Sequence, residues 1–102
     1  MAFNGTEGGS ISLTAGAALT REYRKQNPGA TKGHFFGKDI LHQLLNQQGC
    51  QGIRMYYGLD EDGNKELVLV GADTNENDLT ALVADLSMPC PGVCGNANVL
   101  NS

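Results

Sequence analysis

Two stretches of the chain carry hydrophobic residues at helical spacing. Within residues 15–26, Leu19 and Tyr23 lie four positions apart among charged and polar residues, which is one turn of an α-helix. Residues 38–48 carry a stronger stripe, and Gly49 follows as a common left-handed helix end. The pattern predicts helices over about 15–26 and 38–48.

A third stretch, residues 75–87, has the same periodicity. Its apolar residues lie at i, i+3, i+4 and i+7 and are Leu79, Leu82, Val83 and Leu86. Glu76 and Asp78 would lie near the positive end of the helix dipole, and Pro89 would follow its last turn. We therefore expect a third helix over about 75–87.

The pattern changes to that of strands between the second and third predicted helices. Residues 52–60 alternate apolar and polar side chains, and residues 66–73 are apolar at consecutive positions. The Asp-Gly pair between them favours a tight antiparallel turn. We predict a hairpin over about 52–60 and 66–73, and an α+β fold with three helices on a small antiparallel sheet. A further strand is expected from Ile11–Leu13, from Gly33–Phe36 or from another subunit.

The length and composition indicate one domain. The chain has 102 residues, of which 40% are hydrophobic and 18% are charged, as in water-soluble globular proteins. Residues 1–9 are rich in glycine and polar residues and are expected to be disordered. Residues 10–88 would form the single α+β domain, and residues 89–102 a tail rich in Cys, Pro and Gly.

The charge is unevenly distributed along the chain. Residues 1–49 carry five basic and three acidic side chains, whereas residues 50–102 carry two basic and eight acidic ones, and the net charge is −4. This acidity argues against nonspecific nucleic-acid binding. The opposite charges of the two parts, together with a strand that is apolar on both faces, predict a homo-oligomer. One basic group is interpreted either as a solvated helix face or as a local anion or partner site. It comprises Arg21, Arg24, Lys25, Lys32 and Lys38.

The sequence predicts a cytoplasmic protein. The first residues, MAFNGTEGGS, lack the basic and apolar regions of a signal peptide. No segment has the roughly 18 consecutive apolar residues that a membrane span requires. In the cytoplasm, cysteine thiols are expected to stay reduced.

The cysteines are the main candidates for chemistry. Cys90 and Cys94 lie in the segment CPGVCG, which has one residue more between the thiols than a Cys-x-x-Cys metal knuckle. With Cys50 and His34 they could hold zinc or an iron–sulfur cluster. Alternatively, Cys90 and Cys94 form a redox-active pair, although a position after a helix C-terminus would disfavour thiolate. Packing alone is the third interpretation of these cysteines.

Two resemblances follow from these residues. The order ISLTAGAALTREY, GCQGIRMYYGLDEDG and a C-terminal cysteine pair is similar to that of A-type iron–sulfur carrier proteins, which implies Cys50, Cys90 and Cys94 as cluster ligands. That family has Cys-x-Cys near its end, where this chain has CPGVC. More of the chain, including REYRKQNPGATKGHFFGKDIL and PCPGVCG, resembles a group of small uncharacterised bacterial proteins, which implies a bacterial origin.

No motif of an enzyme is present in the sequence. There is no Gly-x-Ser-x-Gly elbow and no phosphate-binding glycine loop. The oxygen-bearing residues of the predicted hairpin turn, from Asp60 to Glu66, alternate as in calcium loops, but an EF-hand has Gly where this chain has Lys65. The sequence therefore favours a non-catalytic interaction or binding module.

Overall fold

The computed structural model describes residues 2–102, which form two helices and five strands. In chain order these elements are α1 (Leu13–Gln26), β1 (Gly33–Phe35), α2 (Lys38–Leu45), β2 (Cys50–Leu59), β3 (Lys65–Asp73), β4 (Asp78–Ala84) and β5 (Met88–Cys90). All strand pairs are antiparallel. The α+β class is confirmed.

The chain forms two compact units. One contains Phe36–Ser87 with the N-terminal residues up to Glu7, and we call it the three-stranded unit. The other contains Gly8–Phe35 and Met88–Ser102, and we call it the disulfide unit. The division of the sequence into a disordered start, one domain and a tail stays a prediction.

The three-stranded unit contains the predicted hairpin. β2 pairs with β3 in a register that runs without interruption from Gly52 opposite Ala72 to Leu59 opposite Lys65. β4 pairs with the other side of β3, so that the strand order is β2-β3-β4. The hairpin prediction is confirmed, and the third strand of its sheet is none of the three candidates proposed from the sequence.

The predicted helix over 75–87 is wrong, because this stretch forms a turn and then β4. Leu82 is half-buried, Val83 is 54% exposed and Ala84 is 6% exposed, so the side chains alternate as in a strand. Leu86, which completed the helical spacing, is 88% exposed. Its periodicity was coincidental, and the pairing of β4 with β3 determines the structure.

The two turns of this sheet have the same construction. In each, an aspartate N–H donates to the carbonyl oxygen of the asparagine four residues later, namely Asp60 to Asn64 and Asp73 to Asn77, both at 3.0 Å. Each aspartate carboxylate also accepts hydrogen bonds from the backbone N–H groups two and four residues later. Thus the motif Asp-x-x-x-Asn forms a three-residue hairpin loop twice.

The core of this unit lies between α2 and one face of the sheet. Leu44 on α2 and Leu69 on β3 are fully buried and pack with Ala84 on β4. α2 ends at Leu45 rather than at residue 48, and Gly49, with φ of +80°, lies in the link to β2. One short helix therefore covers the sheet face around Leu69.

The disulfide unit contains α1 and a two-stranded sheet. The Ser12 hydroxyl accepts a hydrogen bond from the Ala15 N–H at 3.0 Å and caps α1. Gly33–Phe36 is one of the three candidates for a further strand. Gly33–Phe35 forms β1, but it pairs with β5 in a sheet of its own. Within residues 2–102 neither helix has the length and apolar character needed to cross a membrane.

Candidate functional site

Two of the predicted metal ligands are joined to each other. Cys90 and Cys94 form a disulfide with their Cα atoms 4.9 Å apart. Thiolates bind metals, so in this oxidised form the two sulfurs do not fit a zinc or iron–sulfur site. The chain would have to be reduced at this bond before the pair could bind a metal.

The other two predicted ligands are on β1 and at the start of β2. His34 is on β1 opposite Pro89, whereas Gly33 is opposite Cys90, so the side chains of His34 and Cys90 leave opposite faces of this small sheet. Cys50 belongs to the three-stranded unit, where its thiol donates to the Gly52 carbonyl at 3.2 Å. Among residues 2–102, no three His, Cys, Asp or Glu side chains are grouped as metal ligands.

The structure also changes the argument about thiol reactivity. Without a helix over 75–87, no helix ends directly before Cys90, which instead ends β5. The dipole that was expected to disfavour thiolate at Cys90 and Cys94 is therefore absent from the described chain.

The acidic turn of the hairpin is used by the fold itself. The Asp60 carboxylate accepts hydrogen bonds from the N–H groups of Asp62 and Asn64 at 2.9 and 2.8 Å. The bond from Asn64 is the main cause that holds the pKa of Asp60 below its usual value. These contacts give Asp60 a structural role in the turn.

Part of the basic group also contacts the chain's own backbone. Arg24 donates hydrogen bonds to the carbonyl oxygens of Leu100 and Ser102, both at 2.6 Å. Lys32 donates to the Asn101 carbonyl at 2.8 Å. These two cations are therefore engaged with residues 100–102 in the disulfide unit.

The outer edge of β2 has hydrogen-bonding groups that face away from the sheet. The Asp60–Asn64 bond closes the ladder, and in an antiparallel pair every second residue bonds to its partner strand. Residues 54, 56, 58 and 60 thus bond toward β3. The N–H and C=O groups of the intervening residues point outward, and these residues are Ile53, Met55, Tyr57 and Leu59.

The same outward-bonding residues carry an exposed apolar row. Their side chains lie on the sheet face of Leu69, because Met55 is opposite Leu69 in the register. Beyond the part covered by α2, the exposed fractions are 57% for Met55, 94% for Tyr57 and 72% for Leu59. We call Met55, Tyr57 and Leu59 the apolar row. Its exposure on an edge strand is typical of an interaction surface.

A cleft marks where the open edge of β2 begins. It has a volume of about 260 Å³ and is lined by Phe3, Glu7, Gln51, Gly52, Ile53, Arg54 and Ala72. The N-terminal segment comes close to β2 at Gln51, since a Cβ atom on Gly5 would lie 3.5 Å from the Gln51 carbonyl oxygen. The free part of the edge therefore runs from Ile53 to Leu59.

The opposite face of the sheet carries a polar cluster of Arg54, Tyr56 and Asp78. Arg54 forms a salt bridge with Asp78, and the Tyr56 hydroxyl donates to the other Asp78 oxygen at 2.6 Å. The Arg54 guanidinium also lies 5.3 Å from the centre of the Phe3 ring, within the range of a cation–π contact. The cluster connects β2 to β4 across β3 and fixes the orientation of Tyr56.

This cluster gives a prediction for titration. The hydroxyl of Tyr56, and next the Arg54 guanidinium, hold the pKa of Asp78 below its usual value of about 3.9. We expect Tyr56→Phe to raise the pKa of Asp78, measured by NMR of the carboxyl carbon. A lowered pKa in the folded state contributes stability above the unfolded pKa that is lost as the pH falls through the folded one. The variant should therefore lose less stability on acidification.

Tyr57→Phe is the matched control for this titration. Tyr57 is the neighbouring tyrosine, is 94% exposed and lies on the other face of the sheet. Its substitution should leave the pKa of Asp78 unchanged. An equal shift in both variants would contradict the role of the Tyr56 hydroxyl.

Sequence reasoning missed Asp78 because it was assigned to a helix. The alternation in 53–57 does place Arg54 and Tyr56 on one face. The repeat of Asp-x-x-x-Asn at 60–64 and 73–77 was the available signal, since a second hairpin turn there brings Asp78 beside them. Comparison of the chain with models of protein families, with curated proteins and with solved structures finds no match.

Proposed function

We propose that this chain is a non-catalytic interaction module that self-associates through the edge of β2. The observation that supports the proposal is the apolar row of Met55, Tyr57 and Leu59 beside unpaired backbone groups. Unpaired edge strands with apolar side chains readily pair with another strand. A second copy of the chain supplies such a strand at the same concentration.

The regular pairing of β2 with β3 also supports a contact through the free edge of β2. From Gly52 to Leu59 the register with β3 has no irregularity, so the edge is straight enough to accept a partner strand. β4, the other edge of the sheet, has a register shift against β3 between Val70 and Ala72. A bulged edge pairs less well, and β2 is therefore the better surface.

Sedimentation equilibrium tests this proposal through Tyr57→Lys. The wild-type chain should associate, and the variant should associate at least tenfold more weakly, because a charged side chain replaces an aromatic one in the contact. Tyr57 is 94% exposed, so the fold should not change. The variant also makes the net charge of −4 less negative, so weaker association cannot come from added repulsion.

Leu19→Lys provides the control for charge and lost apolar surface. Leu19 is 67% exposed on α1 and lies in the disulfide unit. This variant should associate as the wild type does. A monomeric wild type at several hundred micromolar, or equal weakening by both substitutions, would contradict the proposal.

Thiol–disulfide exchange at Cys90 and Cys94 is a second candidate function, and the disulfide between them supports it. Such bonds persist in oxidising compartments, whereas a cytoplasmic location, which we also propose, would keep the pair reduced.

Metal or iron–sulfur binding by Cys50, Cys90, Cys94 and His34 stays a prediction that requires the reduced form. Alkylation of the thiols at the moment of cell lysis would determine which form the cell contains.

A further inference from the structure

We infer that two copies pair their β2 strands antiparallel, with Tyr56 on the two-fold axis, and thereby join two sheets into one of six strands. This inference rests on the proposed self-association and specifies its geometry. Its basis is the order of residues along the free edge from Ile53 to Leu59.

The outward-bonding groups select the register. When the axis passes through residue 56, Met55 is opposite the second copy's Tyr57, and Ile53 is opposite its Leu59. All four outward-bonding residues of each copy are then paired. Because the contact is symmetric, each of the two residue pairs occurs twice. No backbone group of the free edge remains without a partner.

Neighbouring registers leave part of the edge unpaired or oppose like charges. With the axis at residue 55, the outward-bonding groups of Leu59 would have to pair with those of Gln51, where the N-terminal segment already lies. With the axis at residue 57, Ile53 meets Glu61 in the acidic turn. With the axis at residue 54, the two Arg54 side chains oppose each other, which is destabilising.

The side chains are self-complementary in the Tyr56 register. On the face of the apolar row, Met55 lies beside the second copy's Tyr57, a favourable sulfur–aromatic pair. On the opposite face, the two Tyr56 rings are adjacent, and Arg54 is opposite Gly58, which has no side chain to clash with it. Each row of the exposed edge thus meets a row of matching character.

The charges agree with an antiparallel contact between copies. The hairpin turn of each copy carries Asp60, Glu61 and Asp62. An antiparallel arrangement places the two acidic turns at opposite ends of the paired strands, whereas a parallel one would bring them together. In the Tyr56 register, Arg54 also has the second copy's Asp60 as a diagonal neighbour, at about 7–8 Å between Cα atoms.

Disulfide trapping tests the register directly. In a Cys50→Ser background, which removes the free thiol, single cysteines replace Met55, Tyr56 or Tyr57. Across the two-fold axis the Cα atoms of residue 56 should lie about 4.5–5.5 Å apart, within disulfide range. Those of residue 55, or of residue 57, should lie about 8 Å apart, beyond that range. We expect Tyr56→Cys to form covalent dimers at least tenfold faster than Met55→Cys or Tyr57→Cys alone, with oxidised glutathione as the oxidant that accepts the two electrons.

An equimolar mixture of Met55→Cys and Tyr57→Cys provides a second measurement that keeps Tyr56 intact. These two positions are opposite each other in the Tyr56 register, so the mixture should cross-link as mixed dimers, identified by mass spectrometry. Rapid cross-linking of Met55→Cys or Tyr57→Cys alone would overturn the register while self-association stands. If the chain sediments as a dimer but none of these cross-links forms, the interface is not at the edge of β2. A monomer in sedimentation would overturn the proposed function itself.

Discussion

Replacing Leu69 by alanine is expected to lower the free energy of unfolding of the three-stranded unit by about 2–5 kcal/mol. Leu69 is fully buried in the middle of β3, with Leu44 and Ala84 against it. The substitution removes apolar contacts and leaves a cavity, because α2 and the sheet cannot close completely over the missing atoms. Since the free energy of unfolding of small domains is about 5–15 kcal/mol, this loss is a large part of the stability of the unit.

Urea unfolding followed by circular dichroism measures this change, and Leu86→Ala is its control. Leu86→Ala removes the same atoms in the same unit, but the Leu86 side chain is 88% exposed. The control should change the free energy of unfolding by less than about 0.5 kcal/mol. Equal losses in the two variants would show that Leu69 is not the centre of this core.

Replacing Gly71 by alanine is expected to destabilise the same unit by about 1–3 kcal/mol. A Cβ atom on Gly71 would lie 2.8 Å from the Gln47 side-chain nitrogen, 2.9 Å from the Cys50 sulfur and 3.3 Å from the Leu44 carbonyl oxygen. Both side chains are held by hydrogen bonds, Gln47 to the Leu44 carbonyl and Cys50 to the Gly52 carbonyl. The added methyl group would have to displace them and push against backbone.

Gly58→Ala is the matched control for the Gly71 substitution. At Gly58 a Cβ atom would meet only Val68 and Glu66, at 3.8 and 3.9 Å, which are ordinary van der Waals distances. Alanine in a strand loses less backbone entropy than glycine, so this variant should be more stable by about 0.5 kcal/mol. The two substitutions should therefore have opposite signs in the same urea experiment. A stabilised Gly71→Ala variant would show that α2 and β3 do not approach as closely as these distances state.

The hairpin was predictable because its signals are local. Asp62-Gly63 places glycine where the loop needs a positive φ, which is +80° at Gly63, and alternation defines the flanking strand. The second hairpin was missed because Glu76 takes the equivalent position with φ of +69°, where sequence reasoning expects glycine. The helical spacing of the following leucines then gave the wrong element.

Only part of the candidate site could be predicted from the sequence. Alternation over residues 53–57 separates the apolar row from Arg54 and Tyr56, but it does not show which face α2 leaves uncovered. α2 ends at Leu45, and its length decides that Tyr57 and Leu59 are exposed. The disulfide was one of the open alternatives, because spacing alone cannot distinguish a metal pair from an oxidised one.

The two Asp-x-x-x-Asn loops have a consequence for how the sheet assembles. In each, only three residues separate the aspartate from the asparagine to which it bonds. Every strand pair between Cys50 and Ala84 therefore forms between segments close in the chain. Closing such short loops costs little chain entropy, and sheets with low contact order fold quickly. The three-stranded sheet is therefore suited to form early, as a kinetic nucleus on which α2 and the N-terminal segment can then dock.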